Sequence, residues 1–107
     1  MSAVSGFGVI VNDFSISYCD YLEEVVFSRS LKRIGYWGVK GNRNLKRITL
    51  YLHIRYISPH AFIETEIKEI RFMGSEEQWK STQVNEYDTL QSYFSGKEVV
   101  FADAGTH

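Results

Sequence analysis

At 107 residues, with 44% hydrophobic and 15% aromatic residues, the chain is the size of one domain with a real core, which excludes a disordered tail. Twelve basic and thirteen acidic residues leave a net charge of −1, so nothing in the overall charge draws the chain to nucleic acid or an anionic membrane. The single cysteine, Cys19, excludes an internal disulfide, and no apolar run approaches the roughly 20 residues of a membrane span.

The N-terminal stretch "MSAVSGFGVIVND" has no Lys or Arg before its apolar residues, so it does not read as a secretory signal. The expectation is a cytoplasmic protein as written, or a secreted or surface protein if the chain is a fragment. Val11 lies 23 residues before Ile34, and Ile16 lies 23 before Val39. Residues 1–18 are therefore read as a degenerate N-terminal cap on a run of repeats.

Those repeats occupy residues 19–74. A shift of 23 residues superposes Leu22 on Leu45, Val25 on Ile48, Phe27 on Leu50, Leu31 on Ile54, Ile34 on Ile57, Gly38 on Ala61 and Val39 on Phe62. A third copy starts one residue early, with Ile67, Ile70 and Phe72 lying 22 after Leu45, Ile48 and Leu50. The Ile-x-Leu part has period two and reads as a short strand with one apolar face. The next apolar pair, three residues apart, reads as a turn or a second short extended segment. One such unit cannot bury its own apolar face, but stacked neighbours can. The predicted fold is mainly β, a small solenoid of about three repeats. Parallel strands at 24–27, 47–50 and 69–72 form one sheet, with short helices and turns.

These residues resemble the BspA-like leucine-rich repeats of bacteria. The pattern Leu-x-x-Ile-x-Ile, followed by spaced apolar residues and an Ala-Phe pair, is met by Leu22, Val25, Phe27, Leu31, Ile34 and Gly35. The next copy meets it with Leu45, Ile48, Leu50, Ile54, Ile57, Ala61 and Phe62. Cys19 and Asn42 fill the family's Cys position, and "IRFMGSEEQWKS" matches its strand followed by Gly-Ser/Thr-x-x-x-Trp. The pattern departs at Ser28 and Tyr51, where a proline is usual, and the third unit is truncated. The resemblance implies a protein-binding role, often at a cell surface or in host interaction, and a buried, inert Cys19.

Residues 75–107 read as a C-terminal cap. Ser75-Glu-Glu-Gln78 has the form of a capping box, and the helix it starts should carry Trp79 inward. Asp88 is the expected start of a second helix and Gly96 its stop, with Leu90, Tyr93 and Phe94 at helical spacing. "EVVFA" alternates as a last strand, with Val99 and Phe101 on one face, and is expected to extend the sheet as a cap.

Nothing in the chain has the spacing of a catalytic or metal site. His53 and His60 are seven apart with no nearby cysteine, and "GYWGVKG" lacks the spacing of a phosphate loop. The expectation is a protein that is not an enzyme and takes no cofactor or metal.

Charge is more informative. Residues 29–55 hold eight of the twelve basic residues and no acid, a local charge of +8, against −9 in the rest of the chain. Stacking would place Glu24, Arg47 and Glu69 in one rung of alternating sign, and Glu23, Lys46 and Lys68 in a column before it. Arg29, Lys32, Arg33, Lys40, Arg43 and Arg55 have no acid in the matching place one repeat on; Lys32 would lie above Arg55, and Arg33 above Tyr56. With Tyr36, Trp37 and Tyr56 close in sequence, this is the composition of a surface that grips an anionic partner. The candidate partner-binding residues are Arg29, Lys32, Arg33, Tyr36, Lys40, Arg43, Arg47, Tyr51, Arg55 and Tyr56, with outward Val26, Tyr51 and Met73 as apolar neighbours. The first expectation is a protein partner with an acidic surface, for instance a target of a compact intracellular binder or inhibitor of the kind phages and mobile elements encode. Nucleic acid is the second, and a structural piece stacking on other copies the third.

Overall fold

The computed structural model describes the backbone of Ala3–Ser5 and Ile10–Val11, and residues 22–36 and 38–101. Cys19, Trp37, Ile16 and His107 lie outside the described residues.

Two parallel sheets hold the strands. The larger contains β1 (Ala3–Ser5), β3 (Glu24–Val26), β5 (Arg47–Tyr51), β7 (Glu69–Met73) and β8 (Glu98–Phe101), in that order. The smaller contains β2 (Ile10–Val11), β4 (Arg33–Ile34) and β6 (Tyr56–Ile57), in that order. Neither closes into a barrel. The predicted strands thus lie side by side and parallel, and the second apolar pair of each unit forms the smaller sheet.

Register follows the sequence offset. Val25 sits opposite Ile48, and Ile48 opposite Ile70, so the inward residues of β3, β5 and β7 form one buried ladder. Ile34 sits opposite Ile57 and Val11 opposite Ile34, both 23 residues apart. Val4 pairs with Val25 at the shorter offset of 21. One core cluster joins the large-sheet ladder to Ile34 and Ile57 of the small sheet. A third stacking line runs through the loops: Val39 N–H donates to the Ala61 carbonyl at 2.8 Å, and Gly41 N–H to the Ile63 carbonyl at 2.9 Å. The matched small pair Gly38 and Ala61 is buried on this line. Asn42, at the family's Cys position, is fully buried and donates its amide to the Val39 carbonyl at 2.9 Å. That bond offsets the cost of burying an amide there.

The C-terminal segment closes the core. Helix α1 (Glu76–Ser81) starts at the expected capping box: Gln78 N–H donates to Ser75 Oγ, and Ser75 N–H donates to Gln78 Oε1. Gly74 precedes it because any Cβ there would lie 2.7 Å from the Phe72 ring. Helix α2 (Leu90–Tyr93) is capped by Thr89, one residue later than expected. Ser92 N–H reaches the Thr89 hydroxyl, while Asp88 instead accepts from the Ser92 hydroxyl. Gly96 then turns the chain with φ of 86°. Trp79 is buried, 5.2 Å from the Phe72 ring, 5.8 Å from Phe94 and 6.2 Å from Phe101. Ile57 N–H donates to the Val84 carbonyl, and Asn85 Nδ2 to the Ile57 carbonyl, so this segment covers the open edge of β6. The Tyr93 hydroxyl donates to the Ser58 carbonyl at 2.6 Å.

Trp79→Ala should lower unfolding free energy by roughly 3–5 kcal/mol, the usual range for a buried aromatic, in a urea titration. Burial, reinforced by the nearby Asp88 carboxylate, holds the Tyr93 hydroxyl protonated above the ordinary tyrosine range. The unfolded chain ionises that group near pH ~10 while the folded one does not. Its stabilising contribution is therefore complete below that pH and declines as pH rises further. Tyr93→Phe should lose about 1 kcal/mol at neutral pH and show a shallower alkaline decline, both readable in melts from pH ~8 to ~11.

Candidate functional site

The ten candidate residues fall in three places, set by where each lies in its repeat unit. Arg47 is on the outward face of the large sheet. Its neighbours across the ladder are Glu24 and Glu69. Arg47 Nη1 lies 3.7 Å from Glu24 Oε2, and Nε donates to Glu69 Oε1 at 3.3 Å. The alternating rung therefore forms, and Arg47 is already engaged by two carboxylates. Lys46 also finds an acid, Glu66 at 3.6 Å, rather than Glu23 in the column before the strand.

The second place is the corner between the two sheets. A turn from Ser28 to Leu31 joins β3 to β4, and a matching turn from Tyr51 to Ile54 joins β5 to β6. Arg29 is exposed in the first turn, and its guanidinium carbon lies 5.6 Å from the centre of the Tyr51 ring on the next unit. Arg33 in β4 is exposed directly opposite Tyr56 in β6, with its guanidinium carbon 4.2 Å from that ring. Lys32 and Arg55 are exposed and adjacent, since the Arg55 N–H donates to the Lys32 carbonyl at 2.8 Å. Both arginines thus reach across to the neighbouring unit and rest on tyrosine faces. Such a contact is worth about 0.5–1 kcal/mol at exposed sites. Tyr36 follows β4, is 44% exposed, and packs edge-on against His60 at 5.4 Å.

Lys40 and Arg43 occupy the third place, around the loop that stacks on 61–63 and so comes after the small sheet in the unit. The structure therefore gathers Arg29, Lys32, Arg33, Arg55, Tyr51 and Tyr56 at one corner and separates Arg47, Lys40 and Arg43 from it. Among the described residues, no ion pair joins Arg29, Lys32, Arg33, Arg43 or Arg55 to a carboxylate. Val26 is half-buried in the row with Thr49, while Tyr51 and Met73 pair in another row. The Arg33–Tyr56 pair was visible at the offset of 23. Arg29–Tyr51 was missed because its offset is 22, although a long arginine bridges that slip easily.

His53 and His60 are exposed, and the described residues contain no group of three His, Cys, Asp or Glu able to hold a metal. No helix among them is long and apolar enough to cross a membrane.

Reversing Arg47 with Arg47→Glu puts a third carboxylate between Glu24 and Glu69. Cross-strand charge pairs contribute about 0.2–1 kcal/mol each, so the loss should be roughly 0.5–2 kcal/mol, partly recovered in high salt. Denaturant titrations at low and high ionic strength measure both.

No curated protein and no solved structure matches the chain significantly. A family model does match, over residues 9–98, described as BspA type Leucine rich repeat region (6 copies). Leucine-rich repeats are in general protein-interaction modules and are generally not enzymes. With most of its length matched, and with parallel strands in the repeat's own register, the chain belongs to the BspA-type leucine-rich repeat family.

Proposed function

We propose that this protein is a non-catalytic protein-binding module, a short solenoid of about three 23-residue units closed at both ends, that grips an acidic protein surface at the corner between its two sheets. The observation that carries this reading is the pair of arginines laid on tyrosine rings, Arg33 on Tyr56 and Arg29 on Tyr51, beside Lys32 and Arg55. A guanidinium that already rests on a ring loses less freedom when a carboxylate binds it in bidentate fashion. Tyrosine beside arginine is also the pairing enriched where interfaces concentrate their energy. Lys40 and Arg43 extend the positive field toward the next loop and act on encounter rate more than on dissociation. Arg47 is excluded from the proposed contact because Glu24 and Glu69 occupy it.

Nucleic acid is the less favoured partner. The corner offers few cations, and a net charge of −1 opposes a polyanion at long range. Phosphate binding would also fall steeply with salt as counterions are released.

The double variant Lys32→Glu/Arg55→Glu should abolish capture of an acidic protein from nuclease-treated lysate. It should change stability by no more than about 0.5 kcal/mol, since isolated surface charges contribute little to folding. Unchanged capture, or submicromolar, salt-sensitive gel shifts with generic DNA or RNA at physiological ionic strength, would overturn the proposal.

A further inference from the structure

The large sheet ends at β8, and the features of that edge are independent of the basic corner. Backbone groups along a strand alternate in direction. Glu98 N–H donates to the Lys68 carbonyl at 3.0 Å, so Glu98 and Val100 bond inward to β7. The N–H and C=O groups of Val99 and Phe101 therefore lie on the outer edge, and no strand among the described residues pairs with them. Their side chains face the core but remain half-buried, as they would if the next rung of the ladder were missing. Beside them opens a cleft of about 320 Å³ in which Val99, Phe101 and the edges of buried Trp79 and Phe94 meet a polar rim of Glu76, Gln91, Ser95 and Lys97.

Charge identifies what fits. On the outward face, the row runs Glu24, Arg47, Glu69, Glu98. Alternation fails at its last step. Arg47 is committed to Glu24 and Glu69, and no cation among the described residues pairs with Glu98. A residue placed opposite Glu98 by a further strand would meet an exposed carboxylate next to a second one. An acid there would be repelled and a lysine or arginine attracted.

We infer that β8 is a docking edge for an extended segment of a partner protein. The segment runs parallel to β8 and carries Lys or Arg opposite Glu98 and apolar residues opposite Val99 and Phe101. Main-chain hydrogen bonds to Val99 and Phe101 supply affinity, the cleft takes the first apolar side chain, and Glu98 selects the cation. This surface is distinct from the basic corner, and neither proposal depends on the other.

The probe is an acetylated, amidated pentapeptide, Lys-Val-Thr-Leu-Thr, compared by NMR titration with the same peptide carrying Glu for Lys. The Lys peptide should shift the Val99 and Phe101 amides saturably in the millimolar range. The Glu peptide should bind roughly three- to tenfold more weakly, and Glu98→Lys should reverse that order. Val99→Pro removes an outer-edge donor while leaving the ladder to β7 intact, so it should abolish binding by either peptide. If that variant fails to fold, the Glu98→Lys reversal still decides the matter. Equal affinity for the two peptides, no saturable shift at β8, or shifts at β8 that depend only on protein concentration, as for self-association, would overturn the inference.

Discussion

Everything in this structure depends on one constraint: a strand of three to five residues cannot bury its own apolar face. Val25, Ile48 and Ile70 leave water only because each lies against the next, 23 and then 22 residues further along the chain. Offsets of 22 to 23 residues likewise set the backbone lines of the small sheet and of the 39–41 loop. A ladder of this kind is stabilised collectively, since each unit provides the surface on which its neighbour is buried. It also must end, and an end exposes a full apolar layer. Trp79, Phe94 and Leu90 fill that layer, with α1 and α2 carrying them over it.

Outward rows obey a different rule. Once inward residues dictate the register, outward side chains meet whatever the same register brings them. In the first row it brings Glu24, Arg47 and Glu69 together, and the charges cancel locally. At the corner it brings Arg33 to Tyr56 and Lys32 beside Arg55, where positive charge is supported by aromatic faces instead of acids. The +8 of residues 29–55 is therefore not a uniform basic patch. It divides into cations used inside the molecule and cations presented to the outside.

Legibility varies along the chain. The core was legible because apolar identity repeats with the backbone period: Leu22 with Leu45, Phe27 with Leu50, Ile34 with Ile57. The Ser75–Gln78 capping box was legible because its reciprocal bonds are local in sequence. Thr89 was less so. Asp88 and Thr89 are both good caps, and the choice rests on Ser92 standing three residues after the threonine. Tyr93 was readable as an inward helical residue, but its bond to the Ser58 carbonyl spans a fold the helix spacing does not describe.

The sequence by itself determined the repeat, the direction in which its apolar side chains point, the parallel pairing of β3, β5 and β7, and the Glu24–Arg47–Glu69 rung. All of these come from a periodic offset, and a period specifies which backbones are neighbours. Only the tertiary structure decided that Lys46 turns to Glu66 and that Arg29 lies on Tyr51. The alternation of "EVVFA" had also marked β8 as a last strand extending the sheet, and the structure pairs it with β7. Long cationic side chains choose among several neighbours by distance in space. A repeat encodes its own stacking, and local caps mark where it stops, but the contacts long side chains make across it exist only once the chain is folded.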